Sequence, residues 1–538
     1  MSRPAGTGTL ADALNELKRS SGYSYQQIGD RAHLGRSTVH RYCSGQSVPA
    51  SFGTVELIAK VCGADRDALS ELYRLWERAN GLVEAEPADE PEAATEPEPG
   101  AEAVPGPVPY QAPKRRRWWL VVAAVAVIAI AGAYAYLPEN LNRTEIPARR
   151  DIAAPNWTFN PGLVSPGFVG VTINSATGAM PTFPVGSVRL WDSKTRWQVL
   201  EPERGRFDWT VLDKHLNGAG TAGLPVVYVF GGTPAWAAPN GGRTPYTDGS
   251  RTTPPDDLAD WERFVRALVT HADGRIESYE LWDIGTPPFF DGSVESLVAM
   301  TRTASAVIRE LDPDANVVCP GFTGLWEPEN QLVMQRFAEQ GGYSHCDYAA
   351  VKLYPRNASD PPETMMELTR EIDQTLARAL IGPKLWATGW GTEVTQQQRV
   401  EPELAADYAV RSYLVSLWRW YDRFYFYSWG GDRVPIVLQT NGFQPTKAGR
   451  FVGELTGWLA DAKIDSCGHG PEAGLPDNVW QCRFTRQGKP FVIRWTHEGT
   501  ARMMPDPGTT LVRRLDGTST PVVPGEPLEI TGRPVLLG

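Results

Sequence analysis

The chain has 538 residues, a net charge of −11, 42% hydrophobic content, 19 Trp, 52 Gly and 45 Pro. At roughly 150 residues per domain that length predicts three or four units. The apolar and aromatic content excludes a disordered, collagen-like or coiled-coil chain as a whole, and the average acidity disfavours non-specific nucleic-acid binding, which needs clustered Lys and Arg.

Residues 1–80 read as a cytoplasmic, all-α domain. Apolar residues recur at helical spacing: Leu10, Leu14 and Leu17, then Ile28 and Ala32, Val39 and Tyr42, Val55, Ile58 and Ala59, and finally Leu69, Leu72, Leu75 and Trp76. This spacing predicts about five short helices around one core. The stretch YSYQQIGDRAHLGRSTVHRYCSGQSVP resembles the helix-turn-helix of the XRE (lambda-repressor-like) family at Gln27, Ala32, Leu34, Ser37, Val39 and Gly45. The resemblance implies a recognition helix from about Arg36 to Cys43, with Arg36, Ser37, Thr38, His40 and Arg41 facing a major groove. Arg can read guanine bidentately there, and Ser or Thr can bind phosphate or base edges. Only ten Lys/Arg face eight Asp/Glu in this domain. Membrane-tethered domains of this type also resemble that of the cell-shape protein RodZ, which contacts a filament, so DNA and a cytoplasmic protein both stand as partners, and a RodZ-like scaffold linking envelope glycan to a cytoplasmic partner stands as an alternative.

Residues 81–117 form an acidic, Pro-rich linker that buries too little to fold, ending in the basic stop Lys114, Arg115, Arg116 and Arg117. Residues 118–137, WWLVVAAVAVIAIAGAYAYL, are 20 residues without a charge, enough for a transmembrane helix. The basic side belongs inside, so the expectation is a single-pass bacterial plasma-membrane protein with its C-terminal part outside. Cys43 and Cys62 then stay reduced, whereas Cys319, Cys346, Cys467 and Cys482 can pair. Cys467 with Cys482 is the expected disulfide; Cys319 and Cys346 fall at opposite ends of neighbouring predicted strands, which leaves their pairing open.

After a linker over 138–162, residues 163–456 alternate short β-like runs with amphipathic helices: VGVTI, SVRLW, PVVYVF, IESYELW, NVVCPG, YAAVKLY, KLWAT and RFYFYSW. Eight such units predict a (β/α)8 TIM barrel, and residues 457–538 a small C-terminal β-sandwich. GGTPAWAA, DLADWERFVRALVTHADGRIESYELW and AVIRELDPDANVVCPGF resemble clan A glycoside hydrolases, near the β-xylosidase type of family 39. Retaining members use two glutamates at the strand ends. The resemblance places the acid/base at Ile284, within Trp282-Asp283-Ile284-Gly285, and the nucleophile at Gly389, within Thr388-Gly389-Trp390-Gly391.

Neither residue can do that chemistry, and Lys352 also stands where the family has a His. The expectation is a pseudoenzyme. The alternative is a membrane-anchored glycosidase using Asp283 and Glu393 instead; Glu280 is expected as a hydrogen-bonded buried carboxylate. Arg189, Trp191, Trp236, Trp282, Asp283, Tyr354, Trp390 and Trp429 fall at or near the strand ends and are expected to form a carbohydrate-binding wall. No metal cluster, nucleotide loop or Ser-His-Asp set stands out, so no cofactor is expected. The composite reading is a membrane sensor of extracellular glycan or polysaccharide. A signal through one helix would then act through oligomeric state or piston position.

Overall fold

The computed structural model describes residues 9–32, 36–49, 52–64, 66–79, 157–158 and 161–538. The linker 81–117, the span 118–137 and most of the linker 138–162 lie outside these residues. Among the described residues no helix is long and apolar enough to cross a membrane. The chain divides into two compact units, Met1–Leu137 and Pro138–Gly538.

The first unit is helical: α1 (Leu10–Ser21), α2 (Tyr25–Ala32), α3 (Arg36–Cys43), α4 (Phe52–Val61) and α5 (Arg66–Ala79). Thr9 starts α1 with a reciprocal capping box to Asp12, and Gly22 ends it in left-handed backbone, each satisfying groups the helix leaves free. Leu14, Ile28, Val39, Val55 and Ile58 are fully buried in the core between them. Cys43 and Cys62 are free thiols within this core; burial pushes the Cys43 thiol up to about 11, which keeps it unreactive.

The second unit is built on eight parallel strands: β3 (Val169–Ile173), β4 (Ser187–Leu190), β5 (Val226–Val229), β6 (Ser278–Glu280), β7 (Asn316–Val318), β8 (Ala349–Val351), β9 (Leu385–Ala387) and β10 (Arg423–Trp429). Their spatial order is β7-β6-β5-β4-β3-β10-β9-β8, and parallel bridges Val318↔Tyr348 and Phe322↔Val351 link the two ends. The result is a near-closed TIM-like barrel. Val227, Val318, Ala350, Trp386 and Tyr425 form one buried cluster, while amphipathic helices such as Leu258–Ala272, capped by Asp257, and Val294–Leu311, capped by Ser293, cover the outside.

Two expectations change at the edges. Two short strands, β1 (Trp157–Thr158) and β2 (Gly162–Leu163), lie where a linker was expected, yet they pair with β11 (Lys463–His469) of the C-terminal appendage. The appendage itself is one antiparallel sheet completed by these strands, with a separate two-stranded ribbon, Ala501–Met503 against Leu528–Ile530.

Both cysteine pairs are joined, Cys467–Cys482 and Cys319–Cys346. The second is within reach because Tyr348 pairs with Val318: the stagger of the barrel brings the start of β8 level with the end of β7, so Cys346 lies beside Cys319 and their Cα atoms are 5.5 Å apart.

Candidate functional site

A cavity of about 590 Å³ opens where the barrel strands end. Its floor is a buried charge cluster contributed by four strands. Arg189 on β4 donates to both oxygens of Glu280 on β6 at 2.6 and 2.9 Å and to Asp283 Oδ1 at 2.5 Å. Lys352, one residue past β8, donates to the same Asp283 oxygen at 2.8 Å and to the carbonyl and hydroxyl of Thr388, past β9, both at 3.1 Å. Thr388 in turn donates to Glu280 at 3.2 Å. Two cations therefore balance two carboxylates, each group at most 3% exposed.

The pairing shifts two of these groups. Burial alone would raise the Asp283 carboxyl, but Lys352 and then Arg189 outweigh it and hold it below its ordinary value. Burial and the neighbouring Arg189 lower the Lys352 ammonium, against the pull of Asp283 and Glu280. Glu280 is the bonded structural carboxylate that was expected.

Around this floor the wall is aromatic: Trp191, Tyr246, Phe289, Trp390 and Tyr427 all line the cavity. The Tyr246 hydroxyl donates to Asp283 Oδ2 at 3.4 Å, and Tyr427 donates to Asp192. Burial first, then these carboxylates, pushes both phenols well up, so each remains a hydrogen-bond donor. Arg196 lies over the Trp191 and Tyr246 rings at 4.8 and 4.2 Å and pairs with Asp192 and Asp248 at 2.6 and 2.5 Å.

Of the eight expected sugar-binding residues, Arg189, Trp191, Asp283 and Trp390 line the cavity, and Trp236, Trp282, Tyr354 and Trp429 do not. The Trp236 indole donates to the Glu201 carbonyl, with the Arg204 and Arg263 guanidiniums over its ring. Trp282 turns outward against Trp261 and Phe290, because β6 ends at Glu280 and strand alternation does not extend past it. The Tyr354 hydroxyl accepts from Gly324 N and donates to Glu393. Trp429 bonds Gln439 behind the wall, because the register of β10 shifts between Phe426 and Trp429.

That shift leaves Tyr427 and Ser428 of β10 on the cavity; Tyr427 shares parity with the inward Tyr425, a signal present in the sequence. Tyr246 and Phe289 come from long loops and have no periodic signal.

Of the two positions where the resemblance places the catalytic pair, Ile284 forms part of the apolar wall. Gly389 has φ 128, a backbone region that L side chains rarely adopt. The two candidate substitute carboxylates are not brought together in the cavity: Asp283 is on its floor, while Glu393 is exposed, bonded to Tyr354 and not part of the lining.

On the helical unit, Arg36, His40 and Arg41 are exposed on α3 and Thr38 is half-buried. The His40 ring meets Tyr25 edge-on at 5.1 Å. The side chain of Ser37 lies outside the described residues.

The family model described as a helix-turn-helix domain matches residues 9–72. No curated protein matches the chain. Among solved structures, the chain is similar to a family 39 glycoside hydrolase from the gut symbiont Bacteroides cellulosilyticus WH2, at 17% identity and a TM-score of 0.52, over 69% of this chain and 81% of that one. A glucosidase from Croceicoccus marinus matches at 15% identity and 0.45, over 70% and 84%. A family 44 endoglucanase from Clostridium acetobutylium ATCC 824 matches at 11% and 0.46, over 70% and 97%. The first of these likenesses shows a shared glycoside-hydrolase-like fold.

Proposed function

We propose that this is a single-pass membrane protein whose outer barrel binds a glycan without cleaving it, and whose helix-turn-helix domain contacts DNA inside the cell. The observation that carries the reading is the cavity floor. Retaining hydrolysis needs two carboxyl groups about 5 Å apart, one of them protonated as the acid. Here Ile284 and Gly389 stand at the two motif positions, and Asp283 is ionised with both oxygens engaged. A relocated pair has no support from Glu393, which bonds to Tyr354 outside the cavity lining.

The wall suits sugar rings. Trp191, Trp390, Tyr246 and Tyr427 offer faces for apolar C–H groups, with hydroxyls and charged groups between them to fix orientation. Topology is supported by the uncharged stretch 118–137 with its basic flank. It is also supported by the cysteines, paired in the unit assigned outside and free in the unit assigned inside. DNA as the inner partner is favoured by the exposed Arg36, His40 and Arg41 on one short helix.

Ligand would act through oligomeric state or piston position of the span. The test is to incubate the purified protein with a glycan panel and score retention and released sugar together. Retention without release is the expected result. Turnover abolished by Asp283→Ala or Glu393→Ala would overturn the reading.

A further inference from the structure

The barrel end opposite the cavity carries an arc of exposed apolar side chains. Leu163 precedes β3, Trp420 precedes β10 and Leu380 precedes β9, three strands adjacent in the ring. Their exposures are 68%, 43% and 92%. Leu380 and Trp420 also sit in left-handed backbone, with φ 58 and 64.

The same barrel supplies its own comparison. Other helix-to-strand connections at this end use Gly223, Asp273 and Gly341 at positive φ, residues that tolerate this region because they lack a Cβ or carry a short polar side chain. An outward Leu or Trp at such a position strains the turn, and Leu380, 92% exposed, adds almost nothing to the core; strained exposed residues of this kind point to use elsewhere. Lys384, ahead of β9, and Lys463, opposite Leu163 in the sheet, are exposed at the same end.

We propose that this arc docks on the surface of a lipid bilayer, with Trp420 and the leucines at the headgroup–acyl boundary and the lysines among the headgroups. Trp, Leu and Lys together are the composition that boundary favours. The uncharged stretch ends at Leu137, 26 residues before Leu163, so the tether enters the barrel at this end and reaches at most about 90 Å from any membrane that stretch crosses. Docking by this end leaves the cavity facing away from the bilayer, open to glycan. The inference rests on the membrane-span reading.

The test reconstitutes the full chain in phosphatidylcholine–phosphatidylglycerol vesicles, with a protease site placed within 138–156. After cleavage, flotation measures how much barrel stays with the vesicles. The expected result is retention in the wild type and at least about tenfold weaker partitioning of Leu380→Gly/Trp420→Gly, the loss that even one buried apolar side chain predicts. Glycine suits both φ values, and Leu380→Gly alone, at a side chain 92% exposed, should melt no lower than the wild type and still partition more weakly. Complete release of the wild-type barrel, or equal retention of the variant, would overturn the docking while leaving the span intact. A chain that never floats would overturn both. A released barrel that dimerises only with Leu380 and Trp420 present would assign the arc to a second copy and overturn the lipid surface.

Discussion

Lys352→Met probes the cavity floor most sharply. The substitution removes an ammonium 2.8 Å from Asp283 and 3.6 Å from Glu280, with two bonds to Thr388. Arg189 is then left to balance two buried carboxylates alone. Removing one partner of a buried ion cluster costs about 3–5 kcal/mol. In a unit of this size that is a fall in Tm of roughly 4–6 °C, readable by calorimetry at neutral pH.

The pH dependence carries a sign. Asp283 has a folded pKa below its ordinary 3.8, so its contribution is present above the unfolded carboxylate pKa and is lost as pH falls through the folded one. Without Lys352 the folded pKa rises, Asp283 takes up its proton at higher pH, and the deficit against wild type narrows on acidification. Lys352→Met/Asp283→Leu should recover most of the loss, because replacing both partners leaves no unpaired charge. A Tm within 2 °C of wild type at neutral pH, or a deficit independent of pH, would refute the charge-cluster account.

Other expected outcomes follow from the same geometry. Tyr427→Phe should weaken glycan binding about tenfold or less through the lost hydroxyl, whereas Trp236→Ala should leave affinity unchanged; calorimetric titration separates them. Gly389→Ala should destabilise by about 1–3 kcal/mol in denaturant unfolding, although its Cβ would meet Tyr427 at an ordinary 3.6 Å. Thiol titration of the unreduced, denatured chain should find two free cysteines, Cys43 and Cys62. Arg36→Ala and Arg41→Ala should each weaken selected duplex DNA, with a shallower dependence on salt; unchanged binding would reassign α3 to a protein partner.

Much of the scaffold was legible because it obeys periodicity. All eight barrel strands read as short apolar runs and the flanking helices as 3.6-residue periodicity, whereas Ile284 and Gly389 stand out only through the family resemblance. The cavity wall was half legible. Arg189 is marked by its place at a strand end and Asp283 by the family resemblance, but Trp282 and Trp429 are misplaced because alternation fails where a strand stops or its register shifts. Tyr246 and Phe289 were invisible because loop residues are positioned by tertiary contacts such as the Arg196 stack. Lys352 could be recognised as unusual, but not as the counter-ion of Asp283, because that pairing joins β6 and β8 across the barrel.

The central claim is that the cavity holds an intact glycan against a floor that cannot cleave it. A crystal structure of the protein soaked with a glycan it retains is the most direct measurement. The account predicts an unbroken saccharide against Trp390 and Tyr427, with Ile284 beside its glycosidic linkage and the Asp283–Lys352 pair undisturbed. A cleaved product, a sugar bonded covalently to the protein, or a ligand bound away from the barrel mouth would contradict it.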